Sequence, residues 1–200
     1  GTPFSVSGGT FTPSTGTVSY VSATAPTITN TTYYNLDFSP VSGTPTYSLA
    51  AGSWSVTNNL SLGGDGAATL DLNTGDPTLD VNGNVTIGSN DTLTAQSVVN
   101  RFNVGGSWTN SGVFQNSNGK VIFDATTTGK TITVNGSSNS FNNASFNGVG
   151  GEWTLSDDFY AFEMLISNGN LIASSRSLYL TANGGVSMIS GSGVFTYGTS

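Results

Sequence analysis

Apolar and polar residues alternate along this chain in bursts of three to five, broken only by small turn-forming residues. Thr17-Val18-Ser19-Tyr20-Val21, Asn59-Leu60-Ser61-Leu62, Thr69-Leu70-Asp71-Leu72, Thr78-Leu79-Asp80-Val81, Asn84-Val85-Thr86-Ile87 and Thr131-Ile132-Thr133-Val134 all follow this pattern. Each sets apolar side chains on one side and Ser, Thr, Asn or Asp on the other. A period of two is the period of a strand, so each burst reads as a short, half-buried β-strand. Gly-Gly, Asn-Gly, Ser-Gly and Asp-Gly pairs between them supply the positive φ values that tight turns need. Ser156–Ile166, with Phe159, Phe162, Met164 and Leu165, is the one stretch with a helical look. Its flanks, Trp153-Thr154-Leu155 and Asn168-Gly169-Asn170, make it a further strand pair, and no helix is expected. The chain reads as all-β.

Composition tests that reading. Ser (29), Thr (29), Gly (27) and Asn (21) supply 106 of the 200 residues, which on its own is a signature of low complexity. Disordered chains lack aromatic and β-branched residues, whereas here aromatics reach 10% and Val, Ile and Thr are frequent. A net charge of −7 is too small to hold the chain open, so order is expected. There is no Cys and no His, which excludes a disulfide scaffold, Cys/His zinc sites and catalysis by either side chain. Four cations against eleven acids make nucleic acid an unfavourable partner. No apolar run approaches the length of a membrane-spanning helix.

The sequence also repeats. Gly9-Thr10-Phe11, Gly16-Thr17-Val18-Ser19-Tyr20 and Thr27-Ile28-Thr29 match Gly112-Val113-Phe114, Gly119-Lys120-Val121-Ile122-Phe123 and Thr131-Ile132-Thr133. Tyr33, Asn35, Phe38, Val41 and Gly43 then match Phe141, Asn143, Phe146, Val149 and Gly151. Two diverged copies of about 100 residues result, 1–104 and 105–200, within one continuous domain. All three tryptophans share one local frame: Gly52-Ser53-Trp54-Ser55, Gly106-Ser107-Trp108-Thr109 and Gly151-Glu152-Trp153-Thr154.

Two architectures suit short strands, Gly/Asn turns and internal repeats. In a β-solenoid, coils of about 20–25 residues stack with Val, Ile, Leu and Phe inside and Ser, Thr and Asn outside. The alternative is two tandem β-sandwiches, one per copy. The very short strands and scarce charge favour the solenoid, because stacked coils align hydroxyls and amides into ladders. No strict 18-, 20- or 22-residue rung runs through the whole chain. The stretch Gly106-Ser107-Trp108-Thr109-Asn110-Ser111-Gly112-Val113-Phe114, followed by Gly119-Lys120-Val121-Ile122-Phe123, resembles the β-solenoid repeats of large secreted surface proteins and adhesins of bacteria and archaea. So does the Gly9/Phe11/Val18/Tyr20 set. The resemblance covers about half the chain. It implies a secreted or cell-surface structural or adhesive module and carries over no catalytic residue.

The two ends add a further expectation. Ser192-Gly193-Val194-Phe195 copies Ser111-Gly112-Val113-Phe114, but the strand equivalent to Lys120–Phe123 does not follow. Reading from Ser200 into Gly1 of a second copy restores that pattern. A solenoid stays monomeric only when its ends are capped, and no capping helix, charge cluster or Pro run is legible at either end. Head-to-tail pairing into a filament is therefore expected, with Phe4, Val6, Phe11, Val194, Phe195 and Tyr197 at the joint. The expected partners are copies of the same chain, with cell-surface glycans as the alternative.

Other constellations carry milder readings. Glu152, Asp157, Asp158 and Glu163 could form a glycosidase-type acid pair or a Ca²⁺ site, and read more simply as a solvated turn. Arg101, Lys120, Lys130 and Arg176 are scattered, which argues against a polysaccharide-cleaving enzyme. Asp65, Asp71, Asp76 and Asp80 faintly resemble Ca²⁺-binding turns. The Gly-Gly-x-Gly-x-Asp frame never repeats, so they read as outward aspartates, and no cofactor other than Ca²⁺ is in view. Thr27-Ile28-Thr29, Thr92-Leu93-Thr94 and Thr131-Ile132-Thr133 are too dispersed for an ice-binding face. Trp54, Trp108 and Trp153 could stack on sugars, but their shared frame suits buried plugs as well. The six sequons, at Asn30, Asn59, Asn84, Asn90, Asn135 and Asn143, are what so much Asn, Ser and Thr gives by chance.

Overall fold

Each burst of alternation becomes one strand on one face of a coil. The computed structural model describes residues 3–99, 101–181, 188–189 and 192–197. A first strand, β1 (Thr17–Tyr20), precedes the regular coils. The coils then run β2 (Thr32–Tyr33), β3 (Asn35–Phe38), β4 (Thr46–Ser48); β5 (Ser53–Val56), β6 (Leu60–Leu62), β7 (Thr69–Asp71); and β8 (Thr78–Val81), β9 (Val85–Ile87), β10 (Thr92–Thr94). Next come β11 (Arg101–Val104), β12 (Trp108–Asn110), β13 (Val113–Gln115), β14 (Lys120–Phe123) and β15 (Lys130–Thr133). A 3₁₀ turn, Ser137–Asn139, leads into the long strands β16 (Phe141–Leu155) and β17 (Phe159–Ser174), then β18 (Leu178–Leu180), β19 (Met188–Ile189) and β20 (Val194–Tyr197).

Every described pairing is parallel, and the strands sort into three faces. The first holds β2, β5, β8, β11, β14, the first half of β16, the middle of β17, and β19. The second holds β1, β3, β6, β9, β12, β15, the second half of β16, the end of β17, and β20. The third holds β4, β7, β10 and β13, and later the start of β17 and β18. This is a three-faced β-solenoid of about seven turns, as the alternation and scarce charge lead one to expect. On the second face the register runs Leu36, Leu60, Val85, Trp108, Ile132 and Leu155, so these coils take 23–25 residues. Elsewhere they shorten: Phe102 pairs with Val121, and Thr154 with Ile172. Corners of varying length absorb the difference, which is why no strict rung appears in the sequence.

The interior is a column of apolar side chains about one residue thick from each face. Burial alternates along the strands, as in Asn35–Phe38 and Lys120–Phe123. Aromatic rings continue from coil to coil: Trp108 lies 5.0 Å from Phe114 and 5.4 Å from Phe141, and Phe123 stacks on Phe146 at 4.9 Å. Each buried Phe or Leu contributes roughly 1.5–3 kcal/mol. At the corners the backbones meet instead. A Cβ on Gly148 would lie 1.7 Å from the Ala125 carbonyl oxygen. There and at Asn168-Gly169 the long strands bend between faces without breaking, and Gly169 takes a φ of 83°. These bends account for two strands of 15 and 16 residues where short ones are expected. The single 3₁₀ turn among the described residues is the one departure from an all-strand chain.

The residues matched across the two sequence copies lie on different faces. Val18 and Tyr20 pair with Leu36 and Phe38 on the second face, whereas Val121 and Phe123 lie on the first. Phe38 and Phe146 are displaced in the same way. The sequence spacing therefore equals about four coils plus two faces. An inward side chain meets the same kind of interior on every face, so one strand-and-corner pattern serves all three.

Candidate functional site

At the amino-terminal end, residues 4–11 fold back over the first coil. The Phe4 ring meets Phe11 at 4.9 Å, edge-on, and Tyr33 at 6.4 Å. Thr29 Oγ1 donates to the Phe4 carbonyl oxygen. Phe4 is packed against the core, and Val6 is 37% exposed. Phe4 and Phe11 thus form a partial apolar lid on their own coil, a cap that the sequence did not reveal. At the opposite end, β20 is the last described strand of the second face. Val194 and Tyr197 are 50% and 66% exposed, while Phe195 packs against the core. Residues 1–2 and 198–200 of the expected joint lie outside the described residues. The six expected interface residues therefore form two groups, one at each end of the solenoid.

The second face starts at β1 and finishes at β20. Among the described residues β1 pairs only with β3, and β20 only with β17. Among the described residues, neither has a second strand on its other edge. All strands of this face run the same way, so the free edge of β20 is oriented to accept a β1 edge in parallel register.

The acidic groups are spread along the coils and hold their neighbours. Asp157 accepts the backbone N–H groups of Val134 (2.8 Å) and Asn135 (2.7 Å), and Asp158 that of Ser177 (2.9 Å). Asn143 donates to Glu163 at 2.9 Å, and Asn170 to Glu152 at 3.3 Å. Asp71 closes its own turn by accepting from Asn73 and Thr74. Asp76 accepts from the Ser97 N–H and Oγ–H, both at 2.7 Å, and the hydroxyl bond holds its carboxyl below the usual carboxylate range. No group of three or more acidic side chains converges on a point among the described residues.

Trp54, Trp108 and Trp153 are all buried, at 2%, 1% and 0% exposure, so none offers a stacking platform. Trp54 sits on the first face and the other two on the second. The Trp54 indole donates to the Ala50 carbonyl at 2.8 Å, while that of Trp153 has no partner.

Other polar residues that bind coil to coil escaped the sequence reading. Along the corner between the first and second faces, Asn35 Oδ1 accepts from Asn58 Nδ2 (2.8 Å) and Asn59 N–H (3.2 Å). Asn59 Oδ1 accepts from Asn84 N–H (2.9 Å), Asn84 Oδ1 from Ser107 N–H (2.8 Å), and Ser107 Oγ from Thr131 N–H (3.0 Å). The recurrence of Asn35, Asn59 and Asn84 at coil spacing was the available signal. On the third face, buried Asn139 accepts from Phe114 N–H and donates to the Asn135 carbonyl, both at 2.7 Å. Buried Asp91 accepts from Ala68 N–H at 2.7 Å, and burial, then the charge of Asp37, raise its carboxyl above the usual value. Burial and the charge of Asp80 raise Asp124 likewise.

The cations are less scattered than the sequence suggests. Arg101 and Lys120, far apart in a linear reading, are register partners on adjacent strands. No family model, no curated protein and no solved structure matches this chain. Its class is defined by the fold alone, a parallel β-solenoid.

Proposed function

We propose that this chain is an extracellular structural subunit that builds head-to-tail filaments or fibre stalks. The C-terminal end of one copy pairs, strand to strand, with the N-terminal coil of the next. The observation that carries the reading is the second face, open at β1 and at β20 with both strands running the same way. Open parallel edges are templates for a further strand. A joint that repeats the intramolecular stacking does not close, so it propagates. Val194, Phe195 and Tyr197 would meet the Phe4–Phe11 lid of the neighbour and shield it from water. The nearly uncharged Ser/Thr/Asn exterior supports packing against like surfaces. The resemblance to surface-fibre solenoids supports a place outside the cell.

Sedimentation velocity and negative-stain microscopy on the 200-residue chain test this. The expected result is concentration-dependent rods with an axial repeat of about 43 Å, from the nine strand layers of the second face stacked at about 4.8 Å. Val194→Lys with Tyr197→Lys should abolish the rods while the far-ultraviolet dichroism stays that of β-sheet. A dispersed monomer at high concentration, by both methods, would overturn the proposal.

A further inference from the structure

The chain carries four cations against eleven acids, yet two of the four stand side by side. Arg101 on β11 and Lys120 on β14 are direct register partners, so their backbones are about 4.8 Å apart. Like charges directly opposite each other destabilise a sheet. With carboxylates in excess, an ion pair would be the simple remedy, yet no carboxylate pairs with either cation among the described residues. On the far side of Lys120 stands Asn143, and the Glu163 beyond it is already held by Asn143. Neither Arg101 nor Lys120 forms an ion pair or side-chain hydrogen bond among the described residues.

Beside this pair the outer surface of the first face is hollowed. The hollow, about 450 Å³, takes its polar lining from Ser53 and Ser55 of β5, Thr78 and Asp80 of β8, and Arg101 and Asn103 of β11, with Trp54 and Leu79 between them. It crosses three successive coils, from β5 to β11. Its polar groups are unevenly satisfied. Ser53 and Thr78 share a hydrogen bond at 3.2 Å, but Asn103 Oδ1 is buried without a donor. Asp80 lies in the same hollow without pairing to either cation.

We propose that this hollow and the adjoining Arg101–Lys120 pair bind an acidic polysaccharide, its carboxylate lying between the two cations. The planar guanidinium of Arg101 matches a carboxylate in a two-bond fork, and Lys120 adds a point charge. Asp80 can accept from sugar hydroxyls, and Ser53, Ser55 and Thr78 can both give and accept. A doubly charged phosphate suits the hollow less, because Asp80 would repel it. A hollow that crosses three coils gives room for a chain rather than an isolated sugar. This assignment is independent of whether copies of the solenoid join end to end.

Isothermal titration of the full chain with a galacturonate oligosaccharide tests it, alongside a neutral maltooligosaccharide and inorganic phosphate. The expected result is binding of the acidic oligosaccharide alone. Arg101→Ala and Lys120→Ala should each weaken it roughly tenfold or more, as loss of a charged hydrogen bond does. Lys130→Ala, a cation outside the hollow, should leave the affinity unchanged, and circular dichroism should show every variant folded. Because the chain is net negative, long-range repulsion of a polyanion works against binding, so specific binding cannot come from non-specific charge attraction. Failure of the wild-type chain to bind would overturn the proposal. So would equal affinity for the neutral sugar or for phosphate, or equal weakening by Lys130→Ala.

Discussion

Single polar side chains do two different jobs in this molecule, and mutation should separate them. Asn84 sits exposed on the corner ladder, where water can replace what it provides to Ser107. Asn84→Ala should cost about 0.5–1.5 kcal/mol in a denaturant titration. Asn139 is buried and satisfies both Phe114 N–H and the Asn135 carbonyl, so its removal leaves two groups without water or partner. Asn139→Ala should cost roughly 2–4 kcal/mol by the same measurement. Asp91 predicts a pH effect of definite sign. Burial and the charge of Asp37 disfavour its ionised form, so its folded pKa lies above the unfolded value. The stabilisation is complete below the unfolded carboxylate range and is lost as pH rises through the folded value. Asp76, shifted down by Ser97, works in the opposite sense, so the comparison must be made at one residue. Asp91→Asn should raise the melting temperature at pH 7, and the gain over wild type should vanish below about pH 4. An equal gain at both pH values would show that the carboxylate's charge is not the cause.

Strands and corners differ in how far the sequence exposes them. The strands were legible because inward and outward residues differ in kind: Leu60 and Leu62 could face only an interior, Ser61 only the outside. The faces were not legible, because an inward Phe looks alike on each. Phe38 and Phe146 therefore align in sequence while sitting on different sheets. Coil length was hidden by corners that range from the seven residues between β3 and β4 to a bend inside β16. β1 and β20 were legible as strands, but the segment carrying Phe4, Val6 and Phe11, expected to pair at the joint, forms no strand, and its lid depends on a chain reversal that no local pattern marks. The Arg101–Lys120 pair was invisible for a related reason, since its register follows from a short coil. Interior packing should be the costliest feature to disturb. Trp108 touches rings from several coils, and Trp108→Ala should lose about 3–5 kcal/mol. At the β16 bend, Gly148→Ala would drive a methyl into the Ala125 carbonyl, a contact no rotamer can relieve. A loss of more than 3 kcal/mol is expected on thermal or chemical unfolding, roughly the scale of severe overpacking.

Taken whole, the molecule is nearly one-dimensional: each coil touches the coil before and the coil after, and little else. Stability is then a sum of coil and interface contributions, largest where both neighbours are present. Amide hydrogen exchange should be slowest in β8–β12 and quicken toward β1 and β20. Uniform protection along the chain would contradict this picture. The same stacking has a mechanical corollary. All the hydrogen bonds between coils point along the axis, while the covalent chain winds across it. A pull on the two ends therefore loads one coil boundary at a time instead of shearing many bonds at once. Each coil that peels away releases a loop of 23–25 residues, or about 80 Å of slack, before the next boundary feels the force. Under tension such a rod would yield in steps, lengthening greatly before it parts.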